Sequence, residues 1–227
     1  MYVATFLLAF CSIVYELLLG QALSAFLGNT VLRLSVTVGL YMLCMGVGAF
    51  LAGARVLRRP VLGLQRVEVL LTLLGGSSVV SLFVLDSWGA PPWLVSVVGH
   101  GAIVAIGILS GLELPLLLEL ARRQDDRSRG RVLGVDYVGA FVGTLAFAFW
   151  FYPRAGLVPT AFAVATTNAV VGALLVTQLR YETGPARGPH LRTLSVQALL
   201  LAAGFACLFH AREISEHCVA LYVGGAS

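Results

Sequence analysis

The chain has 227 residues, of which 59% are hydrophobic and 11% charged, and it carries a formal net charge of +4. An ordinary soluble domain has about 25% charged and about 45–50% apolar residues, so this composition excludes a cytosolic enzyme, a secreted disulfide scaffold and a disordered regulator. It describes an integral, all-α, polytopic membrane helix bundle.

A helix crosses the hydrocarbon core with about 20 mostly apolar residues, and seven stretches meet that need: Met1–Leu27, Leu34–Ala54, Val67–Leu85, Trp93–Leu118, Val132–Phe151, Leu157–Leu179 and Leu191–Ala211. The first run has no basic flank and is longer than the ~7–15 residues of a signal-peptide core, so it reads as a retained span. The breaks carry turn chemistry. Gly28-Asn29-Thr30 follows the first span, and Pro60 closes the exit from the second. Ala90-Pro91-Pro92 between Trp88 and Trp93 marks a membrane interface, and Tyr152-Pro153-Arg154 closes the fifth span. The bundle is expected over residues 1–211, with 212–227 as a short tail.

All fifteen basic residues are arginine, and twelve of them lie in alternate loops: Arg55, Arg58, Arg59, Arg66; Arg122, Arg123, Arg127, Arg129, Arg131; and Arg180, Arg187, Arg192. The opposite ends hold Arg33, Arg154 and Arg212. This positive-inside bias puts the N-terminus and the Arg-rich loops in the cytoplasm; with seven spans it puts residue 227 outside. Arginines in short clusters between apolar runs face lipid headgroups rather than nucleic acid. Cys11, Cys44, Cys207 and Cys218 are far apart and form no CxxC or metal-ligand spacing, so they read as small buried residues. No cofactor or metal is implied.

Small residues four apart (Gly48 and Ala52, Gly107 and Gly111, Gly139 and Gly143) mark faces where helix backbones approach closely, within the bundle or at a docking surface. An ionisable group deep in a bilayer costs at least ~2.5–3.5 kcal/mol on insertion scales, so each one in a span needs a reason. Glu16 beside Tyr15, Glu113 ahead of Pro115, and Asp136 beside Tyr137 are such groups, together with His100 and Asn168. Glu113 and Asp136 lie at similar depth on consecutive spans and could face one another, as a cation, polyamine or proton site. The alternative is that each carboxyl is a structural tie, to backbone or to arginines such as Arg123 or Arg131, or touches lipid headgroups. Glu16 has Arg33 or Tyr15 as its expected tie. For His100 and Asn168 an interhelical hydrogen bond is expected, because a lone histidine is a poor metal ligand.

Four segments, in order, resemble the membrane region of bacterial membrane-bound spermidine synthase-like proteins, which are polyamine aminopropyltransferases with an N-terminal transmembrane region. They are Cys11-Ser12-Ile13-Val14-Tyr15-Glu16-Leu17-Leu18-Leu19-Gly20, Met45-Gly46-Val47-Gly48-Ala49-Phe50-Leu51-Ala52-Gly53, Gly111-Leu112-Glu113-Leu114-Pro115-Leu116-Leu117 and Asp136-Tyr137-Val138-Gly139-Ala140. Tyr152-Pro153-Arg154-Ala155-Gly156-Leu157 resembles the exit from the family's corresponding span. The Gly-rich second span followed by an arginine cluster is also similar to one half of a major-facilitator transporter.

The resemblance implies that a soluble Rossmann-like domain, which binds decarboxylated S-adenosylmethionine and an amine acceptor, follows the membrane region near residue 227. No Gly-rich dinucleotide-type loop occurs in this sequence, so no catalytic residue carries over. Three roles follow as expectations: an anchor and scaffold for aminopropyl transfer on another chain, a structural subunit of a larger membrane complex, or a transporter-like module for polyamines or other cations. The expected partners are the lipid bilayer and either a separate catalytic chain or that larger complex.

Overall fold

The structure is a computed structural model that describes the backbone of residues 1–53, 57–124, 128–183 and 187–224, with side chains at 124, 176–194 and 221–224 outside the description. Among the described residues eight α-helices follow one another: α1 Tyr2–Leu27, α2 Thr30–Leu51, α3 Pro60–Ser87, α4 Pro92–Gln124, α5 Ser128–Ala146, α6 Leu157–Thr183, α7 Arg187–Phe209 and α8 Ala211–Gly224. A π-helical segment, Phe147–Ala155, extends α5. No strand occurs among the described residues, and the fold is the expected all-α bundle.

The connections are short because the turns are specified locally. Gly28 takes φ +68°, and Asn29, also left-handed, caps α2 with its side chain accepting from the Leu32 N–H at 3.3 Å. Pro60, expected to close the second span's exit, instead opens α3 at its first helical position, where the N–H it lacks would have had no helical partner. Trp88 and Trp93 flank the α3–α4 turn and are both exposed, as interface residues. Tyr152-Pro153 was expected to close the fifth span, but the wider π turn runs through both and ends at Gly156, φ +81°. Arg154 steadies this end, donating to the Phe149 carbonyl at 2.9 Å and lying 4.4 Å over the Trp150 ring.

Among the described residues six segments are long and apolar enough to cross a membrane on their own: α1, α2, α3, Pro92–Arg123 of α4, Ser128–Ala155 and Leu157–Leu175 of α6. The seventh expected span corresponds to α7, which qualifies only together with α8 as a pair bent by 63° at His210. The stretch after 211, expected as a tail, is largely this helix; it packs against α3 and α6 and buries Ala211 and Cys218. Arg55 and Arg127 lie outside the described residues, as do the side chains of Arg180, Arg187 and Arg192.

Helix α1 is the centre of the bundle. Half its residues are buried, and it packs against α2, α3, α4, α5 and α6. By contrast α2 buries only Thr37, Tyr41, Cys44 and Gly48, one residue per turn on a single seam, and α5 buries only Ser128, Val132, Gly139 and Gly143. Their other faces carry exposed Met42, Leu43, Phe50, Phe141 and Val138, suited to lipid.

Glycines make these two seams possible. A Cβ on Gly48 would collide with the Ile108 carbonyl of α4, and one on Gly111 with the Met45 carbonyl of α2. Gly107 faces Cys44 in the same seam. On the other side Gly139 and Gly143 meet the backbone of α1 at Phe6 and Phe10. Ala52, the expected partner of Gly48, falls at the end of α2, where the helix has stopped. Overpacking of this kind costs about 1–3 kcal/mol. Gly48→Ala should therefore lower the thermal unfolding temperature of the detergent-solubilised protein by several degrees, whereas Gly46→Ala, with nothing within 4 Å of the new methyl, should leave it unchanged.

Candidate functional site

Because α2 is held to α4 and α5 to α1, and α2 and α5 do not pack against each other, a cleft lies between them over a floor of α1 and α4. Its volume is about 100 Å³. Glu16 of α1, Glu113 of α4 and Asp136 of α5 line it, so the structure brings together three of the residues singled out in the sequence. Ile13, Met45 and Leu114 supply apolar wall. Glu16 and Glu113 are 6% and 5% exposed.

The floor is fixed by Tyr41. Its hydroxyl sits 3.0 Å from the Ser12 carbonyl, 3.0 Å from Ser12 Oγ and 3.0 Å from Ser110 Oγ, joining α1, α2 and α4 at one buried point. Both serines line the cleft. Behind Glu113 lies Glu68 of α3, fully buried; the two carboxyl groups adjoin, and neither Glu68 oxygen makes a hydrogen bond of ordinary geometry.

The loop arginines are engaged elsewhere. Arg122 and Arg123 pair with Glu119 at 2.7 and 3.1 Å, and Arg123 also donates to the Leu57 and Arg58 carbonyls at 3.0 Å, tying the end of α4 to the segment before α3. Among the described residues no arginine is ion-paired with Glu16, Glu68, Glu113 or Asp136, and Glu16 has no bond to Arg33 or Tyr15. The arginine ties expected as one alternative are therefore not made.

The other sequence candidates lie apart from the cleft. Tyr15 is fully buried, rests its ring on Gly75 and donates to the Leu71 carbonyl at 3.3 Å, which binds α1 to α3. His100 bonds within its own helix, its Nδ1–H donating to the Ser96 carbonyl at 2.6 Å, rather than across helices as expected; a carbonyl one turn away is always in reach. Asn168 is fully buried and neither amide atom has a partner, contrary to the interhelical bond expected. Nearby, Thr166 and Thr167 donate to carbonyls of their own helix, and Gln197 of α7 donates through Nε2 to the Ala169 carbonyl while its buried Oε1 also lacks a partner. Tyr137 is 73% exposed.

Glu68, Tyr41, Ser12 and Ser110 escaped the sequence reading. The third span, expected from Val67, begins at Pro60, and this helix-opening proline puts Glu68 in the third turn of α3. Tyr41→Phe removes one hydroxyl and leaves two serine hydroxyls facing an apolar ring. A buried hydrogen bond is worth about 0.5–1.5 kcal/mol, so the variant should unfold a few degrees lower while keeping its helical circular dichroism.

No family model matches the chain, and no solved structure matches it. Named proteins do. Polyamine aminopropyltransferase 1 of Streptomyces coelicolor is 36% identical over 208 residues, 88% of this chain and 38% of its own length. Polyamine aminopropyltransferase 2 of Ralstonia nicotianae is 32% identical over 213 residues, 89% of this chain and 41% of its own. Polyamine aminopropyltransferase of Leptospira interrogans is 33% identical over 178 residues, 75% of this chain and 34% of its own. The chain spans about two fifths of the length of the first of these relatives. It is thus a helical membrane protein homologous, over nearly its whole length, to part of the polyamine aminopropyltransferases.

Proposed function

We propose that this chain is the membrane anchor and scaffold for aminopropyl-transfer chemistry, the catalysis itself residing in polypeptide outside the part shared with the relatives. The homology carries the reading: 32–36% identity to polyamine aminopropyltransferases runs through the helices of the bundle yet covers only about two fifths of those proteins. The arginine bias supports a bacterial inner-membrane location with the N-terminus and the α2–α3, α4–α5 and α6–α7 connections in the cytoplasm, the side on which a soluble catalytic domain would find its substrates.

Gentle purification from native membranes and intact mass spectrometry test the anchor. A Rossmann-like soluble polypeptide is expected in one-to-one ratio, joined to the chain or bound to it. Aminopropyl transfer should appear in that assembly and not in the chain alone. Turnover by the isolated chain, or co-purification with large membrane subunits only, overturns it. The orientation has its own check. In a background with the four cysteines replaced, Arg59→Cys should react with an impermeant maleimide only from the cytoplasmic side, and Trp88→Cys only from the other.

A further inference from the structure

We propose that the groove where α1 and α5 splay apart binds one anionic phospholipid, its phosphate on Arg131 and an acyl chain along the apolar stripe beside it. The two helices run parallel, since Gly139 meets the α1 backbone at Phe6 and Gly143 meets it at Phe10. A little over one turn earlier on α5 that contact is lost: a Cβ on Gly134 would find nothing within 4 Å. The opening is a groove of about 540 Å³, lined by Tyr2 and Phe6 of α1 and by Arg131, Gly134, Val135 and Val138 of α5. Its α5 side is one stripe at helical spacing, about 10 Å long from Arg131 to Val138. Arg131 stands at one end of the stripe, and everything beyond it on α5 is apolar.

Charge decides what fills the groove. Both helices begin at this end, so the partial positive charge of two helix N-termini gathers beside Arg131. Neither first turn holds an acidic residue, and Arg129 adds to the charge. Arg131 itself is exposed and has no ion-pair or hydrogen-bond partner among the described residues. Glu119, the acid at the same end of α4, is already held by Arg122 and Arg123. A second copy of this chain meeting the groove through the same face would set arginine against arginine. A phospholipid has the complementary order. Its phosphate accepts paired N–H bonds from the guanidinium, and its methylenes lie against Phe6, Val135 and Val138. A net negative headgroup is selected over a zwitterionic one, whose ammonium would add to the positive charge already present.

This inference does not rest on the anchor reading, because it needs only the chain and a lipid. The test is native mass spectrometry of the full chain, delipidated in detergent and titrated with phosphatidylglycerol or with phosphatidylcholine of the same acyl chains. The first phosphatidylglycerol should bind saturably, one per chain, and at least tenfold tighter than phosphatidylcholine. Arg131→Gln should remove that preference. Gly134→Leu, which fills the groove and keeps the charge, should weaken binding tenfold or more. Gly46→Leu, at an exposed position on α2 with open space around it, should leave it unchanged. Glycerol 1-phosphate, which has the charge without the chains, should not displace the lipid. Equal affinity for the two lipids overturns the proposal, as does unchanged binding in either the Arg131 or the Gly134 variant. So does displacement by glycerol 1-phosphate, or a dimer of the lipid-free chain that Gly134→Leu dissociates.

Discussion

Backbone-to-backbone contact at a few glycines sets the geometry on which the remainder of the bundle rests. In a bilayer, apolar side chains gain little by leaving lipid for one another, so helices associate where small residues allow close van der Waals approach. Gly48 and Gly111 bring α2 against α4, and Gly139 and Gly143 bring α5 against α1. Each outer helix then needs only one narrow buried seam and can turn its other faces to lipid. The same two seams hold α2 and α5 apart, and the cleft is the space left between them.

Polar interactions divide into two kinds. At the helix ends they are matched: Glu119 with Arg122 and Arg123, Arg123 with the carbonyls before α3, Arg154 with the Phe149 carbonyl and the Trp150 face. Within the bundle, Tyr15 joins α1 to α3, Tyr41 joins α2 to α1 and α4, and Gln197 joins α7 to α6. The carboxyls of Glu16, Glu68 and Glu113 belong to neither kind. A carboxylate in an apolar medium without a counter-charge is costly, and it is tolerated when a proton or a bound cation neutralises it. Their burial without arginine therefore sets the cleft apart from the rest of the polar structure.

How much of this was legible in the sequence follows from what the periodicity and the polar residues encode. Long apolar runs and turn residues reveal helices, and the spacing of Gly107, Gly111, Gly139 and Gly143 reveals close seams, because both are local properties. Glu113 and Asp136 could be paired from depth alone, and Glu16 singled out by its cost in a span. Convergence on one cleft could not be read, since it depends on how far α2 and α5 are rotated around α1. Pro60 and Pro153 misled the span boundaries, one opening a helix and the other carried inside a π turn. Tyr41 looked like an ordinary aromatic residue in an apolar run; only the fold places Ser12 and Ser110 around its hydroxyl.

The three tryptophans share a property with optical consequences. Trp88 and Trp93 flank the turn between α3 and α4, and Trp150 lies under Arg154 at the end of the π segment; all are 60–80% exposed. The fluorescence of the protein therefore originates at its periphery rather than in its core. Its emission reports the surrounding lipid or detergent, and quenching by lipids brominated at graded depths measures how deeply these ends of the helices sit.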